Sequence, residues 1–138
     1  MILRKLLPLV LLMVVASTAR GETGPDIQEG LWEISVDLEV AGMPMKMPTN
    51  TYTQCIRKDK AVPRSGQSDK TCTQKNVVIK GNTVSWKVSC DNPGGEMTGK
   101  GIIIYHKDKM DGHMSMKGQG MNMTTRFKGH RIGDCKQQ

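Results

Sequence analysis

The four cysteines carry the chemistry that this sequence predicts most directly. Cys55, Cys72, Cys90 and Cys135 all follow the first 21 residues. An even number of cysteines in a short exported chain predicts two disulfides. No C-x-x-C spacing occurs, so a zinc site or a thioredoxin-type redox pair has no local support. We therefore expect the cysteines to be structural.

A predicted hairpin decides how the cysteines pair. The turn dipeptide Gly81-Asn82 separates two β-rich runs, V-V-I-K and T-V-S-W-K-V. Folding the chain back at this turn places residues opposite each other when their numbers sum to about 162 or 163. Cys72 and Cys90 meet that condition and are predicted to pair. The disulfide Cys55–Cys135 is then the second prediction.

The first methionine cluster, G-M-P-M-K-M-P, has three open interpretations. Thioethers are soft ligands, so Met43, Met45 and Met47 are candidate ligands of Cu(I) or Ag(I). Methionines also fill cores. However, Pro44 and Pro48 oppose regular ladder pairing. The three side chains are then partly exposed on a loop, where they form a pliable apolar surface for a ligand or partner.

The second methionine cluster is predicted to fill the core. Met114-Ser115-Met116 and Met121-Asn122-Met123 each place two sulfurs on one face of a strand. His113 then points to the opposite, solvated face. It cannot share a metal site with Met114 and Met116.

Few features of this sequence indicate catalysis, and we expect that the protein is not an enzyme. No G-x-S-x-G motif occurs, and the histidines lie in or beside predicted turns. The early acids alternate on the solvated face of a strand, which favours a solvated stripe over an acid–base pair. The residues concerned are His106, His113, His130, Glu33, Asp37 and Glu39.

Strands are the elements that must position all these residues. Apolar residues recur at every second position along most of the chain, and helical periodicity is almost absent. We predict an all-β fold, a mainly antiparallel meander of about seven strands, as an open curled sheet or a small barrel. Residues 57–71 are predicted to be a loop with room for one short helical turn.

The N-terminus is predicted to be a cleaved signal peptide, residues 1–21. Arg4 and Lys5 precede the apolar run Leu6–Ala16, and cleavage after Ala19 or Gly21 fits the small residues that follow. The apolar run is shorter than the roughly 20 residues of a membrane-spanning helix. The remaining residues, 22–138, form one β-rich domain. We expect it to be periplasmic, soluble and without a membrane span. It is not a lipoprotein, because no cysteine lies at the cleavage site.

The charge of the chain argues against a nucleic-acid partner. Removing residues 1–21 lowers the formal net charge from +7 to +4, and the basic residues are scattered. Only five aromatic residues are present, too few for base stacking.

Several segments together resemble the domain-of-unknown-function family 3617, whose members are exported proteins mainly of Gram-negative bacteria. They are G-L-W-E at residues 30–33, the first methionine cluster, T-Q-C at 53–55, W-K-V-S-C at 86–90, M-T-G at 97–99 and R-I-G-D-C at 131–135. The resemblance covers nearly the whole chain after residue 21 and implies a compact periplasmic β fold. It supplies no activity, cofactor or catalytic residue.

Our expectation for function is a non-catalytic binding or structural module for an unknown envelope protein or a small apolar ligand. Its contact surface would combine Met43, Met45 and Met47 with the concave face of the sheet. The alternative is periplasmic Cu(I) or Ag(I) binding by the same three methionines, with copper as the cofactor.

Overall fold

A computed structural model describes residues 27–64 and 71–136. The predicted signal peptide, the start of the predicted domain and residues 65–70 of the predicted loop lie outside the described residues. Seven strands form one antiparallel sheet. They are β1 (Gly30–Val40), β2 (Asn50–Ile56), β3 (Cys72–Lys80), β4 (Thr83–Asn92), β5 (Gly95–His106), β6 (Lys109–Gly118) and β7 (Met121–Gly133).

The alternating pattern of the sequence matches one buried and one solvated face of the sheet. In β1, Trp32, Ile34 and Val36 are buried while the residues between them are partly exposed. In β4, the buried positions Val84, Trp86, Val88 and Cys90 alternate with more exposed ones. This is the period of two that strand geometry imposes.

Tight turns connect most of these strands. Gly81, with a φ of 59°, lies in the turn between β3 and β4. In the turn between β6 and β7, Gln119 and Gly120 also have positive φ, at 52° and 72°. Two successive residues of this kind give the twist that matches a two-residue hairpin.

The predicted antiparallel all-β fold is confirmed, and its curled-sheet form is the correct one of the two alternatives. The strand order is β2-β1-β7-β6-β5-β4-β3. The sheet is not closed: β2 and β3 are its two edges, so the small-barrel alternative is wrong. Strands β3 to β7 form the predicted meander, but β2 and β3 do not neighbour each other. Instead β1 returns to pair with β7.

The core lies on one face of the sheet, and the sheet curls around it. Trp32 of β1 and Tyr105 of β5 meet edge to face, with ring centroids 5.7 Å apart, although β7 and β6 lie between their strands. Glycine makes room on this face: an added Cβ at Gly101 would lie 2.2 Å from the Trp86 ring. The concave face is therefore mostly filled by the protein's own side chains.

Residues 57–64 cover one part of the core. The buried hydroxyl of Tyr105 donates a hydrogen bond to the carbonyl of Ala61, and Tyr52 donates to the carbonyl of Arg64. The Arg64 N–H donates to the side-chain amide oxygen Oε1 of Gln54 at 2.9 Å. Residues 57–64 contain no helical turn, and residues 65–70 of the predicted loop lie outside the described residues.

Two disulfides, Cys72–Cys90 and Cys55–Cys135, are formed. Both agree with the predicted pairing. Cys72 lies opposite Cys90 in the β3–β4 ladder, as the hairpin register predicts. The second disulfide joins β2 to the segment that follows β7.

Among residues 27–64 and 71–136 there is no helix with the length and apolar character needed to cross a membrane.

Candidate binding surfaces

The first methionine cluster lies on the loop between β1 and β2, which we call the methionine loop (residues 41–49). Two backbone hydrogen bonds hold its start: the Ala41 N–H donates to Asn122 at 2.9 Å and the Met43 N–H donates to Val40 at 3.2 Å. The side chains of Met43, Met45 and Met47 are 59%, 81% and 47% exposed. The core-filling interpretation of this cluster is therefore wrong.

A pocket of about 660 Å³ lies between the methionine loop and the adjoining strands. Its volume is within the range of about 300–1,000 Å³ that small-molecule sites occupy. All three loop methionines and Pro44 contribute to its lining. The lining residues from β1 and β7 are Asp37, Leu38, Glu39, Val40, Asn122, Thr124 and Arg126. The pocket thus combines thioethers with charged and hydroxyl groups.

Three charged groups of this pocket, Asp37, Glu39 and Arg126, have partners within the protein. Arg126 Nη2 donates to Glu39 Oε2 at 3.1 Å, and this bond raises the pKa of the arginine. Thr49 donates a hydrogen bond from its hydroxyl to the Asp37 carboxylate. The methionine side chains form the apolar part of the lining, beside the charged Lys46.

The second methionine cluster is divided between core and surface. Met114 and Met116 are buried, at 4% exposure each, and Met123 packs against the core. Met121, at the start of β7, is 39% exposed, which differs from the prediction. The ends of a sheet are less completely covered, which explains the difference. His113 is exposed while the next residue, Met114, is buried, so the two lie on opposite faces of the strand.

The histidines and early acids lie on the solvated face. His106 Nε2 is 3.5 Å from Asp111 Oδ1, and His130 Nε2 is 4.0 Å from Glu33 Oε1. All four side chains are about half exposed, so these are surface pairs of small energetic value. In the described part of the chain, no three His, Cys, Asp or Glu residues are grouped to hold a metal ion.

The concave face leaves one opening beside the Cys72–Cys90 disulfide. A cleft of about 350 Å³ lies between the segment of residues 57–64 and strands β3, β4 and β6. Its lining residues are Pro63, Cys72, Thr73, Gln74, Trp86, Val88 and Met114. The predicted contact surface included the concave face. This cleft is its open part, because core side chains fill most of the face.

Sequence reasoning missed a row of lysines on the outer face of the sheet. Lys75, Lys87 and Lys100 lie directly opposite one another on β3, β4 and β5. The scattered appearance of the basic residues concealed this alignment. The register that pairs Cys72 with Cys90 also pairs Lys75 with Lys87, so the hairpin prediction contained the signal.

Comparison with known proteins identifies the family. The model of the family described as "Protein of unknown function (DUF3617)" matches residues 27–135. The match covers most of the chain, so the protein belongs to this family. No curated protein and no solved structure matches the chain.

Proposed function

We propose that this DUF3617 protein is a non-catalytic binding module of the cell envelope, which receives an apolar group of a partner protein or small ligand at its methionine loop. The single observation that carries the proposal is the exposure of Met43, Met45 and Met47 beside a pocket. Apolar side chains at such density on a loop have an energetic cost in water unless something covers them.

The chemistry of methionine fits such a role. The side chain is unbranched and polarisable, so it adapts its shape to different apolar partners. The loop that carries the three methionines is held at its start by the Ala41 and Met43 hydrogen bonds and is followed by β2. Its position is therefore defined while its side chains remain adaptable.

The envelope setting rests on the predicted signal peptide and on the disulfides. Disulfides persist in oxidising compartments such as the bacterial periplasm. The described cysteines are all in disulfides. A non-catalytic role is favoured by the solvated, surface-paired state of His106 and His130.

Native mass spectrometry of protein purified from its own periplasm tests the proposal. We expect the wild type to retain a ligand or partner, and the variant Met43→Ser/Met45→Ser/Met47→Ser to lose it. Met121→Ser, which changes an exposed methionine outside the loop, is the matched control and should keep the bound mass. A wild type that is always an empty monomer, or equal retention by the triple variant, would contradict the proposal.

Soft-metal binding is the second candidate function, favoured by three exposed thioethers at alternate positions around one pocket. Anaerobic Cu(I) titration against a competing chelator distinguishes it from the first. Sub-micromolar affinity that is lost when the three methionines are changed to leucine would support copper. Leucine keeps the apolar surface, so the first proposal expects the leucine variant to retain its ligand.

A further inference from the structure

Four lysines converge on the outer face of β3 to β6. Lys75 pairs with Lys87, and Lys87 pairs with Lys100, on three adjacent strands. Lys117 of β6 pairs with Thr98, which is two residues from Lys100 on the same face. All four side chains are exposed. We call Lys75, Lys87 and Lys100 the lysine row.

The lysine row is unfavourable for the isolated fold. Residues directly opposite on adjacent strands have Cβ atoms about 5 Å apart, and like charges at that spacing destabilise a sheet. In the part of the chain that the structure describes, the ion pairs, such as Arg126–Glu39, involve none of the four lysines. A bound anion would remove this repulsion.

The surroundings of the lysines suit phosphate oxygens. A depression of about 460 Å³ is lined by all four lysines and by three hydroxyl residues, Ser89, Thr98 and Ser115. Ammonium and hydroxyl groups donate hydrogen bonds to phosphate. One carboxylate, Glu96, also lines the depression, and it accepts a hydrogen bond from Ser89 Oγ at 2.8 Å.

Exposed apolar residues beside the lysine row indicate which source of phosphate fits. Val78 follows Lys75 on the edge strand β3, lies on the same face as the lysines and is 45% exposed. The ladder shifts register between Lys75 and Val78, and Val78 then pairs with Ser85. A soluble phosphate would use the lysines alone. A lipid surface uses both groups, because peripheral attachment combines apolar burial with attraction to anionic headgroups.

We propose that the lysine row, together with Val78, docks this protein onto the phosphates of an anionic lipid bilayer. This surface lies on β3 to β5, whereas the methionine loop adjoins β1 and β7. The proposal therefore does not rest on the function proposed for the methionine loop.

Co-sedimentation of the disulfide-bonded protein with vesicles tests the docking surface. We expect binding to vesicles with about 30 mol% phosphatidylglycerol, weakening in about 0.5 M salt, and no binding to pure phosphatidylcholine. Lys75→Gln/Lys87→Gln/Lys100→Gln should lower the partition coefficient about a hundredfold, because each lysine contributes to attraction at the surface. Lys109→Gln/Lys128→Gln/Lys136→Gln removes the same charge outside β3 to β5 and should lower it much less.

Three outcomes would overturn the proposal. They are equal binding to phosphatidylcholine vesicles, equal loss in the two triple variants, and displacement by inorganic phosphate beyond the effect of sodium chloride at equal ionic strength. The last outcome would assign the depression to soluble phosphate. The wild-type comparisons of lipid and salt do not require any variant to fold.

Discussion

At the scale of single residues, the concave face depends on positions that carry no side chain. Gly101 is buried opposite Trp86 in the β4–β5 ladder. The Trp86 ring occupies the space where a Cβ at position 101 would be. The glycine therefore allows a large aromatic side chain to lie flat on the sheet and to fill the core.

Gly101→Ala should lower the free energy of unfolding by about 1–3 kcal/mol, because the new methyl group overpacks a filled core. Gly133→Ala is the matched control: no atom lies within 4 Å of its added Cβ. A change within about 0.5 kcal/mol is expected there. Urea denaturation followed by tryptophan fluorescence measures both. Equal stability of the two variants would refute the steric explanation.

The sequence predicted the burial or exposure of single residues correctly where strand periodicity or a proline determined it. The alternation in β1 and β4 predicted Trp32 and Trp86 as core, and Pro44 and Pro48 predicted an exposed methionine loop. The lysine row was missed because charge was assessed along the chain. The first hairpin register places Lys75 opposite Lys87, and only the next register adds Lys100 to the row.

At the scale of elements, Tyr105 joins β5 to the segment of residues 57–64. Its hydroxyl is buried and donates to the Ala61 carbonyl. Burial, and to a smaller extent the charge that Tyr52 would carry, raises the pKa of Tyr105 above its ordinary value of about 10. The folded protein therefore keeps this proton at a pH where the unfolded chain releases it.

This pKa shift predicts a loss of stability in alkali. The contribution of the neutral Tyr105 is complete below about pH 10 and falls as the pH rises further, because only the unfolded chain ionises readily there. Tyr105→Phe should cost about 1 kcal/mol near pH 7 through the lost hydrogen bond. The difference between wild type and variant should shrink as the pH rises from about 9 to 11.

Urea denaturation of both proteins across this pH range measures the effect. Titration of the lysines changes the stability of both proteins equally, so it cancels in the difference. A difference that stays constant with pH would show that Tyr105 does not hold its proton more tightly in the fold.

At the scale of the whole molecule, the two disulfides constrain loops of very different length. Their sequence separations are 18 for Cys72–Cys90 and 80 for Cys55–Cys135. The short loop lies within one hairpin. The long loop ties the edge strand β2 to the C-terminal segment, across the whole chain between them.

Cys55→Ala/Cys135→Ala should therefore destabilise the protein more than Cys72→Ala/Cys90→Ala. The chain-entropy model gives about 4.5 kcal/mol for the long loop and about 3 kcal/mol for the short one. Urea denaturation of the two double variants compares them. A larger loss in the Cys72/Cys90 variant would mean that packing around the buried Cys90 outweighs chain entropy.

The topology was predicted only where the chain itself makes the connection. The turn signal Gly81-Asn82 predicted a hairpin, and this hairpin is present between β3 and β4. The pairing of β7 with β1 has no turn to mark it, because residues 41–120 lie between the two strands. Only long-range packing of the apolar faces specifies that pairing, so the predicted meander did not include it.

The β1–β7 pairing has a consequence for how the chain is made. β1 emerges from the ribosome long before β7. At a synthesis rate of about 5–20 residues per second, the delay is roughly 4–16 s. Throughout that time β1 can pair only with β2, and its apolar face, with Trp32 and Ile34, lacks the strand β7 that it pairs with in the folded protein. A chaperone that binds the nascent polypeptide is therefore expected to act at β1, whose apolar face stays uncovered longest.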